Sequence, residues 1–225
     1  MVDVVWRRGR RKAAERGDRR MPPGQAAERY AELGWPVCVG AHPRLGGLET
    51  GRACSCDRVG CPAPGAHPVS PTWQMQATVD TAVIRNWWTA RPEAGVILVT
   101  GRVFDALEVP AAVGAAALAS IEGAGIAVGP VAEIGDGIFF FVTTRGAPAD
   151  EDEWWSCRLD CEPESITEQG SLRWHCRDSY VLAPPSAIGP GMTSRWLCDP
   201  GGRALPDALR LLEFLVDACE EAGLQ

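Results

Sequence analysis

Apolar positions recur along this chain at two periods, and the changes of period mark out the elements. Gln25 to Leu33 (QAAERYAEL) brings Ala27, Tyr30, Ala31 and Leu33 to one side at helical spacing, and Gly34 stops the run. Trp35 to Val39 then reads as a strand. Thr78-Val79-Asp80 offers an N-cap to a helix over Ala82 to Ala90, where Val83, Ile84, Trp87 and Trp88 fall at helical spacing and are expected in a core. A stacking platform is the other use for that Trp pair. Arg91-Pro92 ends the helix. Gly95 to Val99 is an unbroken apolar run and hence a buried strand, which Gly101 turns into a second strand over Val103 to Val109.

The second half mixes the two periods in the same way. Ala111 to Glu122 is an Ala-rich helix, and Val128 to Ile134 with Ile138 to Thr143 reads as a hairpin turned at Gly135-Asp136-Gly137. Ala147 to Ser156 is an acidic loop or short helix around Trp154-Trp155. Ser171 to Cys176 and Ser179 to Ala183 are expected to pair, Pro184-Pro185-Ser186 closes them, and Ser194 to Cys198 is a last short strand. Pro206 introduces a helix over Asp207 to Ala222 whose apolar face is Leu209, Leu212, Phe214, Leu215, Val216 and Cys219. Without strict strand-helix-strand alternation, the predicted class is α+β.

Charge alters this picture at the N-terminus. Met1 to Arg20 carries eight basic and three acidic residues, a net of +5, which leaves −12 on the remainder of a chain whose total is −7. The segment has little apolar content and is predicted to be a disordered tail, either solvated or touching DNA, RNA or another acidic partner. The acidic body is a poor generic binder of phosphates. Met21-Pro22-Pro23 is expected to open the folded part. No apolar run approaches the roughly 20 residues a membrane helix needs, so no membrane partner is expected. The nine cysteines lack a secretory signal, which points to a reducing cytoplasm and to thiols kept for metal or packing. All but one of the 22 basic residues are Arg, the codon bias of a high-GC genome.

Those thiols concentrate in one loop. Cys54, Cys56, Cys61 and His67 follow the spacing C-x-C-x4-C-x5-H in a segment, 54–68, too rich in Gly, Pro and charge to be a helix or strand with a core of its own. Three thiolates and an imidazole suit tetrahedral zinc, which folds a loop that has no hydrophobic reason to fold. Reduced, unliganded thiols are the alternative. Cys157-x3-Cys161 with His175 or Cys176 is a second, looser donor set, while Cys38, Cys198 and Cys219 sit among apolar residues and read as core. Neither a P-loop nor a dinucleotide fingerprint is present.

The order helix-GWPV, CSC…CPxPGxHP, "ATxD…IxxWW…PxAGV…TG", then "YVLAPPS…SRW" resembles the N-terminal domain of the bifunctional DNA primase/polymerase (prim-pol) family of the archaeo-eukaryotic primase superfamily, from about Gln25 to Trp196. The resemblance implies an RRM-like mixed sheet packed with a second small α/β module. It also implies a template-directed nucleotidyl transferase, a role in DNA replication, and two divalent ions, Mg²⁺ or Mn²⁺, held by a D-x-D strand motif after the T-G turn. A G-G-x-H histidine would meet the nucleotide phosphates, and a third acid would lie near the P-P-S segment. The organisation expected is tail 1–20, a prim-pol-like domain 21–203 with the zinc loop, and a terminal helix 204–225 packed on it.

This sequence departs from that pattern. After Thr100-Gly101 its acids are Asp105 and Glu108, three apart, so a regular strand points them to opposite faces and two metals cannot share them unless a bulge intervenes. Pro110 stands where the second acid falls if Glu108 is the first, and Ile138 stands where the histidine belongs. Glu164, Glu168 and Asp178 are available near Pro184 as a third acid. In a chain without catalysis, Asp105 is expected to face solvent at a strand edge and Glu108 to pair with an arginine. Three readings follow: a degenerate site kept as a zinc-stapled module for nucleic acid, nucleotide or a protein partner; a working polymerase in which Asp105, Glu108 and Asp136 or Asp178 hold the metals; and a zinc-stabilised protein-interaction domain.

Overall fold

The computed structural model describes residues 21–44, 53–147 and 172–223. The basic tail, the Trp154-Trp155 segment, Glu164, Glu168 and the Cys157-x3-Cys161 pair lie outside the described residues. In chain order the elements are α1 (Pro23–Glu32), β1 (Val37–Gly40), α2 (Trp73–Gln76), α3 (Thr81–Ala90), β2 (Gly95–Val99), β3 (Asp105–Pro110), α4 (Ala111–Gly123), β4 (Val131–Ile134), β5 (Gly137–Val142), β6 (Arg173–His175), β7 (Tyr180–Ala183), β8 (Ala187–Gly189), β9 (Met192–Thr193), β10 (Arg195–Cys198) and α5 (Ala208–Glu221). The class is α+β with antiparallel pairings. Among the described residues no helix is long and apolar enough to cross a membrane. The chain divides into two compact units, one from the residues up to Val99 with Val181–Asp199, the other from Thr100–Tyr180 with the residues from Pro200 onward.

In the first unit, β2 lies between β1 and β7, and all five of its residues are buried. Helix α1 buries Ala26, Ala27, Tyr30 and Ala31. Leu33 was expected on that face, but the helix ends one residue earlier and Leu33 becomes a 42% exposed cap. Asp80 caps α3 by accepting from the N–H groups of Ala82 (2.8 Å) and Val83 (3.3 Å). That helix buries a narrower stripe than its composition suggests. Ile84 and Trp88, one turn apart, are inside, Trp87 is half-buried and Val83 is exposed. Trp88 fits because Gly24 has no side chain: a Cβ there would stand 2.7 Å from that of Trp88.

The Pro184-Pro185-Ser186 segment joins these parts by hydrogen bonds. Ser186 Oγ accepts from Val96 N–H (2.8 Å) and donates to Ala183 O (2.6 Å), while Ser186 N–H donates to Ser194 Oγ (2.9 Å). Tyr30 donates its hydroxyl to Pro184 O and accepts from Trp196 Nε1 (2.8 Å). Every one of these groups is buried, so each bond satisfies a donor or acceptor that water cannot reach.

In the second unit β4, β5, β3 and β6 are neighbours in that order, so the first strand of the unit is central, as an RRM-like sheet requires. The turn of the β4-β5 hairpin is Gly135-Asp136, with Gly135 at φ +60°. Helix α4 approaches β5 closely at Gly114, where a Cβ would stand 2.6 Å from that of Ile138. Helix α5 packs on α4 and β3 through Ala208, Leu211, Leu215 and Cys219. This seam corrects the predicted face, since Leu209 is 51% exposed and the set predicted around it is too broad for one packing stripe.

The expected pairing of the two segments around Arg177-Asp178 does not form. Strand β6 joins β3 and β7 joins β2. Thr100 occupies the backbone groups at the turn, its N–H donating to Ser179 O (3.1 Å) and its hydroxyl to Cys176 O (2.5 Å). Asp178 there takes a positive φ of 60°.

Candidate functional site

The cysteine loop folds back on the chain that follows β1. Ser55 N–H donates to His42 O, Arg44 N–H donates to Ala53 O, and Pro43 bridges Cys54. Gly65 turns the loop at φ +82°, where a Cβ would stand 2.5 Å from Pro43 Cδ, so only glycine fits. These constraints bring Cys54, Cys56, Cys61 and His67 together, with one donor atom from each lying within 4.8 Å of the others.

The donors suit a tetrahedral metal. His67 Nε2 lies 3.3 Å from Cys54 Sγ and 3.5 Å from Cys61 Sγ, close to the edge of about 3.6 Å that Zn–S and Zn–N bonds span in a tetrahedron. His67 Nδ1 lies 2.8 Å from Pro68 O, a contact that places the ring proton on Nδ1 and turns the Nε2 lone pair toward the sulfurs. Burial pushes the Cys56 thiol up, but the Arg58 N–H and the donors Cys54, Cys61 and His67 outweigh it and bring it down to about 7. Cys61 is pushed up by burial and by the neighbouring thiols of Cys56 and Cys54. This Cys3His cluster could hold a metal such as zinc.

The sheet acids are arranged otherwise. Strand β3 is paired residue by residue with β5 and β6 through an unbroken register, so no bulge rotates Asp105 onto the face of Glu108. Asp105 is wholly buried; it does not face solvent, because β3 is a central strand. Its Oδ1 accepts from Gly101 N–H and its Oδ2 from Trp174 Nε1, both at 3.0 Å. Burial pushes its carboxyl up to about 6, against the pull of those two donors. Glu108, on the opposite face and half-buried, meets His175 rather than the expected arginine, with Oε2 2.7 Å from Nε2. His175 Nδ1 lies 3.3 Å from Ser179 Oγ and its ring packs on Phe139.

Two divalent ions need several carboxylates aimed at one point, and the candidate acids among the described residues do not converge in that way. Asp105 and Glu108 share no face, Asp136 sits exposed in the β4-β5 turn, and Asp178 is exposed after β6. Among the described residues, the Cys/His cluster is the one group of three or more metal-ligating side chains. The Glu108–His175 contact was not visible in the sequence. It joins residues 67 apart through the pairing of β3 with β6, and no local spacing signals it.

A family model described as bifunctional DNA primase/polymerase, N-terminal, matches residues 27–210. No curated protein matches the chain.

Proposed function

From the premise that this chain belongs to the bifunctional DNA primase/polymerase N-terminal domain family, we propose that it keeps the family's fold as a zinc-stapled module that binds nucleic acid and does not polymerise it. The observation that carries this reading is the separation of Asp105 from Glu108 on opposite faces of β3, with both oxygens of Asp105 engaged by Gly101 and Trp174. A buried carboxylate held on the face opposite Glu108 cannot converge with it on one pair of ions, and electrostatic stabilisation by preorganised cations is the main lever of nucleotidyl transfer. Family membership and the eight basic residues in Met1 to Arg20 support the nucleic-acid part. Zinc is the metal the cluster suits best, because three thiolates and one imidazole leave no open coordination position.

The test is template-directed nucleotide incorporation by the full chain with Mn²⁺ and with Mg²⁺, beside binding of a labelled single-stranded DNA at low and high salt. No product is expected from zinc-loaded protein, together with DNA binding that falls steeply with salt and weakens when residues 1–20 are removed. Product that disappears in Glu108→Ala would overturn the reading and make this a working polymerase with a rearranged site. A folded protein with neither product nor DNA affinity would leave a protein-interaction domain.

A further inference from the structure

The first unit contains a cavity of about 760 Å³ that the family reading does not use. Its walls include the rings of Pro23, Pro43, Pro92 and Pro185, rigid apolar surfaces without a single N–H donor. Arg44, His42 and Glu93 are also among the lining residues, and His42 Nε2 lies 3.8 Å from the Glu93 carboxylate. Arg44 uses Nη1 on Asp57, and its planar fork has further donors. A volume in the small-ligand range, proline rings in the walls and an arginine in the lining suit a ligand with a planar apolar body and an anionic group.

The wall that bears Arg44 belongs to the metal loop as much as to β1. His42 N–H donates to Ser55 Oγ and His42 O accepts from Ser55 N–H, both at 2.9 Å, and Arg44 N–H donates to Ala53 O at 2.8 Å. Pro43 packs on Gly65, and Asp57, which holds the guanidinium, directly follows Cys56. These bonds fix residues 42–44, which supply His42, Pro43 and Arg44 to the cavity's lining. We propose that this cavity binds an aromatic anion of mononucleotide size and that the Cys3His cluster builds it, so that metal and ligand stabilise each other. The reciprocity follows from linkage: a ligand that binds only the metal-ordered loop must tighten the metal by the same factor.

The proposal stands apart from nucleic-acid binding. Deoxyadenosine monophosphate, deoxyadenosine and inorganic phosphate are titrated calorimetrically into the metal-loaded full chain, and metal transfer to a chromogenic chelator is timed with and without the nucleotide. The monophosphate is expected to bind, to lose about tenfold or more in affinity in Arg44→Ala, as a charge-assisted contact implies, and to slow metal transfer. Ala187→Trp, which fills the cavity from strand β8, outside the metal loop in sequence, is expected to abolish binding and the slowing while metal content and DNA affinity stay at wild-type values. No heat with any probe, binding indifferent to both substitutions, or metal transfer unaffected by saturating nucleotide would each overturn the proposal. Loss of DNA affinity with nucleotide binding intact would count against the function proposed above and leave this one standing.

Discussion

The buried carboxyl of Asp105 makes a pH dependence that runs opposite to that of most acids in proteins. Its folded value of about 6 lies above the unfolded one near 3.9. Between those values the native state holds a proton that the unfolded chain has released, so its contribution to stability is full below pH ~4 and is lost as pH rises through ~6. The slope in that window approaches about −1.4 kcal/mol per pH unit, and the whole loss is about 3 kcal/mol. Urea denaturation followed by tryptophan fluorescence at pH 4.5 to 7.5, wild type against Asp105→Asn with zinc in excess, isolates this group. The difference subtracts protons bound by the cysteine ligands, which also titrate. The amide turns one N–H donor toward Trp174 or Gly101, and that mismatch lowers stability by an amount that does not depend on pH. The wild type is expected to lose about 2 kcal/mol relative to the variant from pH 4.5 to pH 7. A difference that stays flat, or that grows in favour of the wild type with pH, would mean a carboxyl whose folded value is not raised above the unfolded one. It would remove the argument that Asp105 is a buried structural group.

Removing the metal is expected to release one zinc per chain and to abolish protection of the Cys54 to His67 backbone against hydrogen exchange, with β3 to β6 still protected. Mass-resolved exchange before and after chelation checks this, and Cys54→Ser should reproduce it. Gly101→Ala should cost about 2–4 kcal/mol, since φ is +78° and the new Cβ would stand 2.3 Å from Arg177 Cα; a midpoint within error of wild type would show that the turn relaxes freely. Ser186→Ala strands the Val96 N–H and should cost about 1–3 kcal/mol, read as a lowered melting temperature with secondary structure unchanged.

Sequence by itself determined the local elements and the metal loop. An unbroken apolar run located β2, an Ala-rich stretch the helix over Ala111 to Glu122, and the Gly135-Asp136-Gly137 turn signal the hairpin, because each of these is a property of neighbours in sequence. Cys54, Cys56, Cys61 and His67 were legible because four donors within 14 residues in a Pro/Gly-rich stretch have few other uses. The strand period also announced that Asp105 and Glu108 point apart. Tertiary structure decided everything that depends on which strand lies beside which. Only the β3–β6 register gives Glu108 its histidine, only the central place of β3 buries Asp105, and only the sheet order sends β6 to β3 and β7 to β2. Helix faces were overdrawn for the same reason. Periodicity reports which side chains are apolar, whereas the width of the stripe that is buried depends on the partner, and in α5 the stripe is Ala208, Leu211, Leu215 and Cys219, with Leu209 outside it. Contacts between residues far apart in sequence leave no local trace, since each residue's chemistry is compatible with many neighbours until the sheet order selects one.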